Sequence, residues 1–338
     1  LPDGLSENSF VTVAKISVHS SQFPENVRRD LVESLRTGRV NHKFHYDSVK
    51  QTAKWLALHQ AYSPSRQDAD CAATYDRSFN AVAGQIQAGR VHVIGLGCGG
   101  GQKDTRLLSL LKRGGREVFY SPCDVSTAMV LVARQTAIPA VPEANCFPFV
   151  FDLAVADDLP AVLEAQSPRD AARLITFFGM IPNFEPQLIL PKLAALVRPG
   201  DSLLFSANLA PGPDLAAGLR RVLPQYDNGA TRDWLMTFLL DLGVEPGDGQ
   251  IRFEIEDVSP GAARIAASFH FSRPAAVRVD AEEFSFRAGD SVRLFYSWRY
   301  NLARIKALLE EHGLSVVDEW ITASQEEGVF LCQRTKSQ

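Results

Sequence analysis

The sequence predicts an α/β protein in which a doubly wound parallel sheet carries a second, smaller α+β unit. Three observations lead there. Between Val91 and Leu209 short apolar runs alternate with helical patterns at the spacing of a parallel sheet covered on both faces. A glycine-rich turn, VHVIGLGCGGGQKDTRLL (Val91 to Leu108), stands at the first strand-to-helix junction. Beyond Ala210 the texture changes to period-two runs, and a helix–strand–strand ending then returns to close the first sheet. With 338 residues and 46% hydrophobic composition the chain can bury such a core.

Along the chain, FPENVRRDLVESLRTGR (Phe23 to Arg39) has helical periodicity and a glycine stop at Gly38, and KQTAKWLALHQAY (Lys50 to Tyr62) is a second helix ended at SPSR. VHVIGL then reads as a buried strand, QKDTRLLSLLKRG as a helix, EVFYSPCD as a strand, TAMVLVARQTA as a helix and CFPFVFDL as a strand. LITFFGM is the next strand, PQLILPKLAALVRPG a helix and DSLLFSANL a strand. In the second part, ATRDWLMTFLLDLG is helical, while IRFEIEDVS, ARIAASFHFS and AAVRVDAEEFSF alternate as antiparallel strands do. RAGDSVRLFYSWRY feeds the helix ARIKALLEEHG, and LSVVDEWIT and GVFLCQR are the closing strands. The expected division is 62–210 with 298–338 as one unit and 1–61 with 211–297 as the other.

A net charge of −4, with lysine and arginine scattered, gives no electrostatic footprint for nucleic acid or an anionic membrane. The sequence holds neither an apolar run long enough to span a bilayer nor a basic-then-apolar leader in its first thirty residues, so a cytoplasmic protein acting on small molecules is expected. Cys71, Cys98, Cys123, Cys146 and Cys332 are odd in number and never spaced C-x-x-C, which suits reduced thiols. His42 and His45 in NHKFHYD lack further ligands nearby; they read as part of a polar loop, and no metal is expected.

A strand, a turn without β-carbons and a helix start together form a cofactor site in a doubly wound sheet. Gly95, Gly97 and Gly100 satisfy G-x-G-x-x-G, the dinucleotide pattern. Gly97, Gly99 and Gly101 equally satisfy the looser turn that holds the methionine end of S-adenosylmethionine. Asp124 ends the second strand, where a carboxylate reaches a ribose in either case, and Asp152 with Leu153 ends the third, beside an adenine. No Tyr-x-x-x-Lys or His/Asp pair suited to hydride chemistry accompanies the turn, which weighs against an NAD-dependent oxidoreductase; a cofactor-binding protein without catalysis is the other rival.

TFFGMIPNFEP (Thr176 to Pro186) tips the balance. Together with FHYD (Phe44 to Asp47), AYSPSR (Ala61 to Arg66), GCGGGQKDTRLL, CDVS (Cys123 to Ser126) and QYDN (Gln225 to Asn228), it resembles the histidine-specific methyltransferases of the ergothioneine pathway. That family also includes fungal N-methyltransferases of prenylated tryptophan, and the resemblance runs from about residue 40 to the C-terminus. It implies a Rossmann-like class I methyltransferase sheet with a substrate domain, and S-adenosyl-L-methionine as cofactor. It also implies that Tyr46, Gly97, Lys103, Asp124, Asp152 and Leu153 surround that cofactor and that Tyr62, Asn183 and Tyr226 hold an amino acid by its carboxylate and backbone end. Neutral donors and acceptors of this kind orient a zwitterion without a charged clamp.

The chain departs from the family pattern in three places. Gly95 stands where an acid usually opens the glycine motif, so contact there is expected through backbone or water. GMIPN is one residue shorter than the usual loop, loses a hydroxyl that helps place the amine, and has Pro182 for a glycine. In FYSWRY, Ser297 matches a serine of the imidazole pocket, but Phe295 replaces the glutamate two residues before it, and Ala267 replaces a bulky side chain. An imidazole N–H left unpaired costs ~1–3 kcal/mol, roughly ten- to a hundredfold in binding. The sequence therefore predicts an N-methyltransferase of a free amino acid or close derivative, tryptophan- or tyrosine-like in preference to histidine, with no side chain assigned as a dedicated general base.

Overall fold

The computed structural model describes residues 13–335. The chain opens with β1 (Ser17–Val18), α1 (Pro24–Thr37), α2 (Val49–Tyr62), the short α3 (Pro64–Gln67) and α4 (Ala69–Gln85). Helix α1 starts on Pro24, whose fixed φ suits the first helical position, and ends at Gly38 in the left-handed region (φ 64°). Ser48 and Gln51 form a reciprocal cap at the start of α2. The alternating part follows as β2 (Arg90–Leu96), α5 (Gln102–Arg113), β3 (Glu117–Asp124), α6 (Thr127–Ala137), β4 (Phe149–Val150), α7 (Leu159–Gln166), β5 (Ala172–Phe177), α8 (Pro186–Leu196) and β6 (Ser202–Asn208).

The remainder comprises α9 (Leu215–Val222), α10 (Gly229–Asp241), β7 (Gly249–Ser259), β8 (Ala262–Phe271), β9 (Ala275–Val279), β10 (Glu282–Phe286), β11 (Ser291–Tyr300), α11 (Leu302–Glu311), β12 (Leu314–Ile321) and β13 (Glu327–Arg334). The large sheet has the order β1-β4-β3-β2-β5-β6-β13-β12. It is parallel from β1 to β6, and β13 then inserts antiparallel between β6 and β12. This is the Rossmann-like α/β sheet of class I methyltransferases. Because β2 pairs with β3 on one side and β5 on the other, the strand order reverses at β2, which puts the crevice for a ligand at its C-terminal end.

The second sheet is antiparallel, β11-β8-β7, and β9 and β10 form a separate hairpin. A core of Trp234, Phe238, Phe269 and Phe295 binds α10 to the inner face of the three-stranded sheet. Burying each large aromatic contributes about 1.5–3 kcal/mol.

Several elements differ from the sequence reading. Helix α4 was not anticipated, although Cys71, Tyr75, Phe79 and Val82 form its buried stripe. CFPFVFDL forms a strand over Phe149–Val150 alone, with an isolated parallel bridge from Cys146 to Tyr120. AAVRVDAEEFSF is two strands, folded back where Asp280 takes a positive φ of 52°. His42 to His45 form a 3₁₀ turn, buried from Lys43 to His45, not a polar loop: His45 bonds its Nε2 to the Leu294 carbonyl at 2.6 Å, and His42 packs edge-on to Tyr296 with ring centres 4.5 Å apart. The stretch 1–61 also contributes β1 to the edge of the large sheet.

Candidate active site

A cavity of about 530 Å³ lies beyond the C-terminal ends of β2, β3, β5 and β6 and is closed on its far side by α2, the Tyr226 loop and β11. The glycine turn forms its floor. Gly97, Gly99 and Gly101 all have positive φ (64°, 50° and 74°), and a Cβ on Gly97 would stand 2.5 Å from Met180 Cγ. The conformational demand thus falls on the 97/99/101 set, whereas Gly95 and Gly100 have no such requirement.

Asp124 closes the turn: its Oδ2 accepts from the Gly99 N–H at 3.2 Å and its Oδ1 from the Ser126 N–H at 3.0 Å. Burial pushes this carboxyl up to about 6, held back by the N–H groups of Ser126, Gly99 and Val125. A cradle without β-carbons beside an acid with spare lone pairs fits the cofactor expected from the sequence.

Asp152 and Leu153 line the same end. Asp152 accepts from the Ala154 N–H at 2.9 Å and faces Lys43 Nζ at 3.4 Å, an ammonium that Asp30 shares at 2.5 Å. Lys103 lines the cavity with its ammonium committed: it donates to Tyr75 Oη at 2.8 Å and stands 3.8 Å from Glu327. Tyr46 is half-buried between the two ends, with Asn183 and Trp55 facing its hydroxyl. Burial first, and the Asp124 charge second, raise its pKa well above the usual tyrosine range, so it stays protonated and serves as a hydrogen-bond donor.

At the other end Tyr226 is the centre of a polar cluster. Asn208 Nδ2 and Arg299 Nη2 each donate to its oxygen at 3.2 Å, and Ser297 Oγ lies 3.0 Å away. With both lone pairs occupied, the Tyr226 O–H donates to Ser297 Oγ, and the Ser297 hydroxyl proton is left to donate onward. Arg299 is held by the carbonyls of Leu209 (2.8 Å) and Glu326 (3.2 Å), so a guanidinium stands one hydroxyl behind the cavity wall. Asn183, in a 3₁₀ turn after β5, and Tyr62, exposed at the end of α2, also line the cavity.

Phe295 lines the cavity and packs against Tyr226, Trp234 and His42, with ring centres 6.2, 6.0 and 5.5 Å away. Ala267 does not line it. It is fully buried as the register partner of Phe295 on β8, and paired residues on neighbouring strands share a face, so Phe295 covers the space expected beside Ala267. His42 lines the cavity as well, with both ring nitrogens buried and unpartnered among the described residues; burial, then His45, lowers its pKa to about 3 and keeps the ring neutral.

Sequence reasoning passed over Asp104, Asn208 and Arg299, and placed His42 in a loop. Two of these had a signal. Arg299 follows Ser297 at the strand period of two, and Asn208 ends a parallel strand, where ligands bind.

Among the described residues no helix is long and apolar enough to cross a membrane. In sequence the chain is 27% identical over 325 residues to the histidine N-alpha-methyltransferase of Mycobacterium tuberculosis (strain CDC 1551 / Oshkosh), covering 91% of this chain and 95% of that protein. Among solved structures it resembles magnesium protoporphyrin IX methyltransferase from Synechocystis PCC 6803, with bound SAH (13% identity, 85% of this chain and 95% of that one, TM-score 0.43). It also resembles the CcbJ methyltransferase from Streptomyces caelestis (13%, 78% and 89%, TM-score 0.39). These overlaps are too loose to add to the topology. The family model described as "Histidine-specific methyltransferase, SAM-dependent" matches residues 27–334, almost the whole chain, and the protein is a member of that S-adenosylmethionine-dependent family.

Proposed function

We propose that the chain methylates the α-amino nitrogen of a free α-amino acid carrying a flat ring. One observation carries this reading: a single cavity joins the glycine turn and Asp124 to the Tyr226 cluster, with Tyr46 and Asn183 between them. The cofactor supplies a methyl group already activated on a sulfonium sulfur. What the protein adds is position. Tyr226, backed by Arg299, turns its O–H from Ser297 to a carboxylate, and Asn183 orients the amine, whose nitrogen must be neutral to attack. Tyr46, held protonated, cannot take the amine proton and is assigned to hydrogen bonding. The two-unit division, 62–210 with 298–338 for the cofactor and 1–61 with 211–297 for the substrate, belongs to the same reading, with Tyr46 reaching across from the second unit.

Histidine is the substrate that the mycobacterial relative's name supplies, and the neutral His42 offers a donor and an acceptor for its ring. A specific observation favours a second reading, a tryptophan- or tyrosine-like amine: the wall is the cluster Phe295, Tyr226 and Trp234, with no carboxylate at position 295. Labelled S-adenosylmethionine with histidine, tryptophan, tyrosine and their decarboxylated amines tests both. Label on the α-nitrogen of the amino acids, and little on the decarboxylated amines, is expected. Equal labelling of the decarboxylated amines would overturn the reading.

A further inference from the structure

Gly95 leaves an empty place in the cofactor end of the cavity, and a side chain from another element fills it. Asp104, in the first turn of α5, extends over the end of β2 until a Cβ on Gly95 would overlap its Oδ2 and stand 3.1 Å from its Cγ. Its Oδ1 accepts from Thr176 Oγ1 and its Oδ2 from Tyr120 Oη, both at 2.8 Å. The residue is 3% exposed and lines the cavity.

Such a carboxylate is costly to bury without a cation. Its pKa is pushed up to about 6 by burial, against the lowering effect of the Tyr120 and Thr176 hydrogen bonds and of the Lys103 charge. The adjacent ammonium, Lys103, is already taken by Tyr75 and Glu327, and no ion pair to Asp104 occurs among the described residues. An ionised carboxyl has about four acceptor sites, and two are used. The amino end of α5 offsets part of the charge but supplies no hydrogen bond to the vacant sites.

We propose that Asp104 binds the α-ammonium of the cofactor's methionyl end, so that α5 supplies the acid that β2 lacks at Gly95. The ammonium offers N–H donors to the two vacant sites, which the sulfonium does not. The inference rests on S-adenosylmethionine as cofactor and is independent of which amino acid is methylated.

The experiment is calorimetry on the wild type and on Asp104→Asn with three ligands: S-adenosylmethionine, S-adenosylhomocysteine, and 5′-methylthioadenosine, which lacks the amino-acid end. Loss of one charge-assisted contact predicts that the first two weaken alike, by roughly ten- to a hundredfold, with the third unchanged. An equal loss for 5′-methylthioadenosine, a loss confined to S-adenosylmethionine, or no loss at all overturns the proposal. Should Asp104→Asn not fold, the wild type still decides: S-adenosylhomocysteine lacking its α-amino group must bind at least about tenfold more weakly than the parent, and equal affinity overturns the assignment.

Discussion

Tyr226→Phe is the sharpest test of the amino-acid end. The substitution keeps the ring that packs 6.2 Å from Phe295 and removes only the hydroxyl. Two effects follow and can be separated. First, the substrate carboxylate loses a donor whose lone pairs Asn208 and Arg299 had filled; a hydrogen bond to a charged group is worth about 1.5–3 kcal/mol, so kcat/KM should fall roughly ten- to a hundredfold. Second, those same donors lose their acceptor, which should lower folding stability by about 1–3 kcal/mol, seen as a reduced unfolding temperature. Initial rates by product mass spectrometry, with the amino acid and its carboxamide compared, isolate the first effect. The carboxamide lacks the negative charge, so its loss should shrink to about threefold. Affinity for S-adenosylhomocysteine should stay within about twofold, because Asp124 and the glycine turn lie at the other end. A fall in cofactor affinity, or equal losses on acid and amide, would refute the assignment of Tyr226 to the carboxylate.

Three further outcomes are expected. Asp124→Ala should weaken S-adenosylhomocysteine at least about tenfold by calorimetry while the circular dichroism spectrum is kept, and an unchanged dissociation constant would remove Asp124 from the ribose. Burial pushes both Asp104 and Asp124 up to about 6. Their folded pKa values lie above the unfolded ones, so their contribution to stability is present below about pH 4 and lost as pH rises through about 6. Cofactor binding runs the other way: affinity should drop severalfold from about pH 7 to about pH 5, with His42 and His59 neutral throughout because burial lowers both to about 3; a flat profile would count against both carboxylates. Phe295→Glu should move the histidine-to-tryptophan ratio of kcat/KM toward histidine by about tenfold, at a stability cost of about 2–5 kcal/mol, and an unmoved ratio in a competition assay would show that position 295 does not select the ring.

The parts of the fold that were legible in the sequence are those where one local rule decides. β2 and β3 read as strands because both faces are covered and their inner residues, mostly apolar, are buried without alternation, and α5 reads as a helix because its buried residues recur on one face. Helix α4 was passed over because small and polar residues, among them Thr74 and Ser78, are buried with its stripe and blur the periodicity. Ala267 was misjudged for a different reason. A register shift between Arg293 and Phe295 decides what faces it across the strands, and an irregularity in strand pairing has no local pattern to read. The cofactor end shows the same divide. The missing acid at Gly95 was visible in the sequence, but the carboxylate that fills its place was not, because Asp104 reaches that place only through the left-handed backbone of Gly97, Gly99 and Gly101, which turns α5 back over the strand it follows. A side chain at Gly95 and the present position of Asp104 exclude one another. The departure at one residue and the carboxylate at the other are therefore a single packing event, and substituting either one alone disturbs both.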